Sequence, residues 1–277
     1  MTHFRCDLCS ADEPIEIEVC RPYTGGQPIH VCSKCGLVYV TERRSSAEVA
    51  ASWSEIYGSG GYDPAWPAVE ARLTYVAEFV KQRIGVEGKS VLDIGAGDGR
   101  LLTKMTGAIW LGVEPTADPP AGWRGHWWSK MPAEEAVDVT PSADVVMLTW
   151  TLENCAEPAK VLQAAYKLTK PGGHIVVATG SRLLVPPKKR LSQYLSTNAA
   201  DTHPTRFSYL TLDGMLFNAG FDPVAVNSYG DSDWLVTIAR KSDPSVYLNR
   251  PPAHEAGWSD FPDMVIDFFE AWHRTWP

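Results

Sequence analysis

Residues 91–99, Val-Leu-Asp-Ile-Gly-Ala-Gly-Asp-Gly, constrain this chain more than any other segment. An apolar strand runs into three glycines at alternate positions, and a helix-forming run follows at 100–106. A buried strand that turns into a helix through glycines brings backbone N–H groups up to a ligand, since no Cβ stands in the way. That unit belongs to open α/β sheets, and the remaining pattern predicts one. Helices are expected at 69–84 and 157–169, and strands at 90–94, 108–113, 126–129, 144–149 and 174–178. The run at 144–149 is apolar without alternation, as a strand covered on both faces should be. After a helix at 211–218, strands at 223–227 and 234–239 flank a Gly/Asp turn and read as an antiparallel hairpin closing a parallel sheet.

The spacing of the glycines selects the ligand. A dinucleotide turn has the form G-x-G-x-x-G. Here Gly95, Gly97 and Gly99 give G-x-G-x-G, and Asp93 stands two positions before the first. A carboxylate there repels a pyrophosphate and suits the ammonium of a methionyl tail, so the turn predicts S-adenosylmethionine ahead of NAD. A glycine turn with no ligand is the other alternative. Glu114 ends the second strand, 17 residues beyond Gly97, where a carboxylate reaches ribose hydroxyls in either cofactor class.

With these pieces in this order the chain resembles the class I S-adenosylmethionine-dependent methyltransferases over residues 67–240. The resemblance rests on Asp93-Ile94-Gly95-Ala96-Gly97-Asp98-Gly99, on Gly112-Val113-Glu114-Pro115 and on the run from Asp144 to Asn154. Leu168-Thr169-Lys170-Pro171-Gly172-Gly173 and Ala219-Gly220-Phe221 complete it. It implies a Rossmann-like α/β fold, a seven-stranded methyltransferase sheet with its last strand antiparallel. It also implies that Asp93, Gly95 and Gly97 hold the methionine moiety, Glu114 the ribose, and that Leu148 and Thr149 line the sulfonium. Many relatives end the fourth-strand motif in Leu-Glu-His; this chain has Asn154 there, so no role carries over to it.

Ahead of this region lie two Cys-x-x-Cys pairs, Cys6/Cys9 and Cys32/Cys35, 22 residues apart. A two-residue spacer turns both thiolates of a pair toward one ion, and four soft ligands complete the tetrahedral shell of a structural zinc. Gly25-Gly26 marks a turn, and short strands are expected at 15–19, 29–31 and 37–40. This is the layout of a zinc ribbon, too small to fold on its own core. Two disulfides or four free thiols are the alternatives. The N-terminus shows no secretory h-region, and disulfides are rare in the cytoplasmic setting this implies. Cys20 and Cys155 read as small buried hydrophobes.

A four-Cys ribbon followed by Cys35-Gly36-Leu37-Val38-Tyr39-Val40 and this domain resembles the zinc-ribbon methyltransferases that act on sugars, often nucleotide-linked ones. The carbon-methylating members carry Tyr-His-Glu-His shortly before a Phe-Ser. Aligned on Phe207-Ser208, this chain has Ala200, Asp201, Thr202 and His203 at those places. With Tyr and Glu missing, the resemblance implies transfer to a hydroxyl or amino group of a sugar or similar small polar acceptor. Another natural-product intermediate as acceptor, or a donor-binding scaffold without catalysis, are the rival functions.

The pattern divides the chain into a ribbon (1–45), a linker with a short helix at 47–56 (46–66), the main domain (67–242) and a tail (243–277). His203, between the fifth strand and the last helix, overhangs the carboxyl ends of the strands and suits a general base titrating near about 6.5. Asp201 is placed to orient it. Arg182, Lys188, Lys189 and Arg190 flank Pro186-Pro187 and read either as a phosphate clamp or as a solvated loop. Trp127, Trp128 and Trp150 stack on a ligand or pack in the core, and Tyr57 and Tyr62 cover the cofactor or pack on the ribbon. The tail at 261–276 is a helix with an apolar face, expected to dock on its own domain or, as in a homodimer, on a second subunit, with membrane association the minor alternative. A net charge of −8 weighs against a nucleic-acid partner, and no run approaches the roughly 18 apolar residues of a membrane span.

Overall fold

The computed structural model describes residues 2–58, 67–119, 123–183, 189–195, 203–227 and 234–277, without the side chains of 56–58. Its first strands are β1 (Thr2–His3), β2 (Pro14–Glu16), β3 (His30–Cys32), β4 (Val38–Tyr39) and β5 (Glu42–Arg43). Helices α1 (Ser46–Gly58) and α2 (Pro67–Ile84) lead into β6 (Ser90–Ile94), α3 (Arg100–Lys104), β7 (Ile109–Val113) and β8 (Trp127–Ser129). Then come α4 (Ala133–Ala136), β9 (Ala143–Thr149), α5 (Pro158–Leu168), β10 (Thr169–Gly180), α6 (Leu191–Tyr194) and β11 (Thr205–Arg206). The chain closes with α7 (Tyr209–Asn218), β12 (Phe221–Val226), β13 (Trp234–Lys241), α8 (Pro244–Tyr247) and α9 (Pro262–Thr275).

Seven strands form one sheet in the order β12-β13-β10-β9-β6-β7-β8. Neighbours from β10 to β8 run parallel, while β13 is antiparallel to both β10 and β12. This is the Rossmann-like methyltransferase sheet that the resemblance implies. Strand alternation divides its side chains between two layers. Val145 and Met147 face α2 and α3 with Val76, Val80 and Leu102. Val146 and Leu148 face α5 and α7 with Leu162, Leu168 and Leu212. The strand order reverses direction at β6, which opens a crevice at its carboxyl end.

Two boundaries differ from expectation by more than two residues. The strand expected at 15–19 stops at Glu16, and a 3₁₀ turn at Glu18–Tyr23 follows, containing Pro22, which has no N–H for a ladder. The strand expected to begin at 174 begins at Thr169: the chain pairs with β9 at Thr169, slips register, and resumes at His174. The extra residues turn through Gly172, whose φ is +72°.

The four-cysteine module does not stand apart. Its sheet has the order β11-β4-β3-β2, so a strand from far along the chain completes it, with Thr205 opposite Tyr39 and Arg206 opposite Val38. Cys6, Cys32, Cys35, Leu37 and Tyr39 share one continuous core with the α5/α7 side of the main sheet. Arg43, its side chain 1% exposed, donates to Asp7 Oδ2 at 2.6 Å and to the carbonyls of Val40 and Ala156, both at 2.7 Å. The apolar stripe of α9 is covered within the chain: Val265, Phe269 and Trp272 bury against Ile17, Ile29 and Val31 of the module. Among the described residues no helix is long and apolar enough to cross a membrane.

Candidate active site

The crevice at the end of β6 is built by the glycine turn. Gly95, Gly97 and Gly99 have φ of +75°, +54° and +72°, the left-handed region that glycine enters without strain. Gly95 is required twice over, because a Cβ there would lie 2.4 Å from Thr151 Oγ1. Glu114 follows β7 and is buried. Its Oε2 accepts from the Gly97 N–H at 2.9 Å, and Oε1 accepts from the Thr116 N–H at 2.8 Å and from the Thr116 hydroxyl. Asp93, 1% exposed, has the Thr149 hydroxyl 3.5 Å away and no cation opposite it among the described residues. Burial, then the like charge of Glu114, push its carboxyl well above the ordinary carboxylate range. A buried acid without a cation, beside a backbone cradle that tolerates no Cβ, fits the ammonium of a methionyl donor.

A cavity of about 170 Å³ opens from this turn. Gly95, Glu114, Pro115 and Thr116 line one side, and Trp150, Thr151 and Asn154 line another. Two further walls were not legible in the sequence. One is Pro132 and Ala133, which follow β8. The other is α1, whose Val49, Ala50 and Trp53 face the cavity from a segment that reads as linker. Its only signal is the i, i+4 spacing of Val49 and Trp53. Leu148 is buried in the α5/α7 core, and neither it nor Thr149 is among the residues lining the cavity. Of the three tryptophans, Trp150 lines the cavity. Trp128 packs on Gly112 and Trp123, and Trp127 on the core.

Beyond the end of β9 the chain is strained. Trp150 has φ +54°, uncommon for a bulky residue, with its N–H on the Ala178 carbonyl at 2.7 Å. Asn154 Nδ2 donates to the Trp150 carbonyl at 2.9 Å, and Asn154 Oδ1 lies 2.9 Å from His203 Nδ1. The structure thus joins a residue to which no role carried over with the expected base. Burial, then Arg206, push the His203 pKa down to about 3, below the expected value near 6.5, which favours the neutral imidazole. Glu153, buried in the 3₁₀ turn Leu152–Asn154, is pushed up to about 7 by burial.

Asp201 lies outside the described residues, as do Lys188, Pro186, Pro187, Tyr62 and the side chain of Tyr57. Arg182 cannot serve a phosphate clamp, since it is buried and bonded to Asp260. The four cysteine Sγ atoms lie within 4.8 Å of one another, with Cys6–Cys35 and Cys9–Cys32 both at 3.4 Å and no disulfide formed. Zinc–sulfur bonds of about 2.3 Å in a tetrahedron hold sulfurs roughly 3.8 Å apart, so the cluster fits one zinc ion.

A family model described as "Methyltransferase domain" matches residues 69–226. The ubiquinone biosynthesis O-methyltransferase of Sodalis glossinidius is 33% identical over 145 residues, 48% of this chain. The chain spans little more than half of that relative, 56%. Among solved structures, the 1,6-didemethyltoxoflavin-N1-methyltransferase of Burkholderia thailandensis, with bound 1,6-didemethyltoxoflavin and S-adenosylhomocysteine, superposes with a TM-score of 0.57. It is 18% identical, and the match covers 75% of this chain and 96% of that one. The [4+2]-cyclase SpnF superposes at 0.52, with 15% identity and coverage of 72% and 96%. Such likenesses establish the fold; the reaction has to be read from the site.

Proposed function

The chain belongs to the methyltransferase-domain family, and from that premise we propose that it moves the methyl group of S-adenosylmethionine to a hydroxyl or amino group of a small polar acceptor. The observation that carries this reading is the pair of carboxyls at the glycine turn. Asp93 offers a buried negative charge to the donor's ammonium, and Glu114, held by Gly97 and Thr116, faces the cavity where a ribose would present its hydroxyls. Methyl transfer is an in-line displacement on an already activated carbon, so positioning supplies most of the catalysis. Trp150 and Trp53 give the cavity apolar walls that exclude water from the sulfonium. His203, which is not itself in the cavity lining but is bonded to Asn154, which is, takes the proton that a hydroxyl acceptor sheds. The name of the Sodalis relative supports oxygen as the accepting atom. A sugar, nucleotide-linked or free, remains the acceptor class that the ribbon-bearing resemblance favours. Cys6, Cys9, Cys32 and Cys35 hold one zinc, structural because four thiolates leave no open position. Free thiols in that set suit a reducing, cytoplasmic setting.

Isotope-labelled donor incubated with the protein and a cell extract tests the function: a labelled product heavier by one CH₂ and release of S-adenosylhomocysteine are expected. Donor binding without any turnover would favour the scaffold instead. Calorimetry tests the donor site. Asp93→Ala and Glu114→Ala should each weaken the donor by about 1.5–3 kcal/mol, the range for hydrogen bonds to charged groups, while NAD should not bind. Affinity should also rise with pH. The free protein holds the raised Asp93 carboxyl protonated more readily than the complex does, so binding releases a proton until pH exceeds the free-protein pKa. In Asp93→Asn that dependence should vanish. NAD binding, or unchanged donor affinity in both alanine variants, would overturn the donor site.

A further inference from the structure

We propose that Asn154 is a positioning residue that locks His203 in the tautomer carrying its proton on Nδ1, leaving Nε2 free to receive the acceptor's proton. The inference rests on the methyl-transfer reading and adds to it a partner for the base and a choice of accepting atom. A side-chain amide can be turned either way, but here its surroundings decide. The Trp150 carbonyl only accepts, so the group 2.9 Å from it must be the Asn154 NH₂. The amide oxygen is then what faces His203 Nδ1, and an oxygen requires a proton on that nitrogen. Among the described residues Nε2 has no hydrogen-bond partner. The strained backbone of Trp150 belongs to the same device, since its carbonyl anchors the amide.

The surroundings of the ring also restrict what it can deprotonate. Arg206 of β11 is the charged group acting on it, and Arg206 Nη1 donates to the His203 carbonyl at 2.9 Å. Glu153, next to Asn154 in sequence, faces Thr179 and Arg72 instead. With no carboxylate on Nδ1, as a Ser-His-Asp arrangement would have, the imidazolium is poorly stabilised. Such a base cannot take a proton from a methylated ammonium, whose pKa is near the roughly 10 of an alkyl amine. It can take one from an oxygen that is becoming a protonated ether, a far stronger acid than imidazolium. An amine that arrives unprotonated needs no base at all, so a base held ready in this way suits a hydroxyl acceptor. As the oxygen lone pair forms the O–CH₃ bond, the S–CH₃ electron pair stays on sulfur, and the O–H proton passes to Nε2 and then to water.

Nitrogen NMR of the ¹⁵N-histidine-labelled protein tests the lock without any acceptor, His203→Ala supplying the assignment. Wild type should show a protonated Nδ1 and a bare Nε2 from pH 5 to pH 8, both values within about two units of the ordinary histidine pKa. Asn154→Ala should show a mixture of tautomers, and Asn154→Asp should bring the ring's titration up into this range. A proton on Nε2 in wild type, or an unchanged spectrum in Asn154→Ala, overturns the inference. In the labelled-methyl assay His203→Ala should lose about 10²-fold, the low end for a general base because its pKa is far from the operating pH. Asn154→Ala should lose roughly tenfold, and the double variant no more than His203→Ala, since the two act as one unit. Multiplied losses overturn the pairing. Donor affinity should stay within about twofold in His203→Ala, so a wild type that binds no donor or transfers no methyl indicts the function instead.

Discussion

Cys32→Ser should release the zinc and destabilise far more than the N-terminal module. Structural zinc contributes about 10–16 kcal/mol of apparent binding energy in isolated fingers, as much as the roughly 5–15 kcal/mol that keeps a whole domain folded. Here Cys6, Cys32 and Cys35 are at most 2% exposed and share a core with Leu92, Val146 and Leu162 of the main sheet. Strand β4 of the module pairs with β11, whose Thr205 lies two residues beyond His203. Losing the ion should therefore loosen the segment that carries the proposed base. The donor contacts should suffer less, because β6 and β7 pair with no strand of the module. The purified chain should contain about one zinc, and chelation or Cys32→Ser should lower its melting temperature and its turnover more than its donor affinity. Wild type that is metal-free, or that melts at the same temperature after chelation, would remove zinc from the fold.

What could be read from the sequence and what could not divides along a physical line. The strand at 90–94, its glycine turn and the apolar strand at 144–149 announce themselves, because burial on two faces and left-handed backbone each demand a residue type. Strand β11 has two residues, too few for any period, and its pairing with β4 joins positions more than 160 apart. The apolar face of α9 was visible, but amphipathicity does not say what will cover it, and the module does. Arg182 read as a phosphate clamp or a solvated loop charge, because Asp260, its partner, is 78 residues away. The same blindness hid the Asn154–His203 bond, 49 residues apart, and with it the depressed pKa of the ring, since burial is a property of the packed chain. Segment α1 read as linker for a related reason: the surface that makes Val49 and Trp53 a wall belongs to other elements.

Arg43→Met should cost about 3–5 kcal/mol, the range for breaking a buried ion pair from one side. Arg43 sits where the module, the chain leaving it and the loop after β9 meet. Its guanidinium satisfies Asp7, which lies between Cys6 and Cys9, and the carbonyls of Val40 and Ala156. Ala156 lines the cavity, so this one side chain ties the cysteine cluster to the active-site loop. Methionine keeps most of the volume but leaves a buried carboxylate and two carbonyls without donors. The cost comes from those orphaned groups rather than from a large net worth of the pair, and a cycle separates the two. Asp7→Leu with Arg43→Met removes both charges and should recover most of the loss, leaving only the carbonyls unpaired. Urea unfolding reads both values, and an unchanged slope would show that the denatured state is not responsible. A single variant costing under about 1 kcal/mol, typical of an exposed pair, would mean that Arg43 is better solvated than its 1% exposure indicates. A double variant as unstable as the sum of the singles would mean that the two side chains contribute separately rather than as a pair.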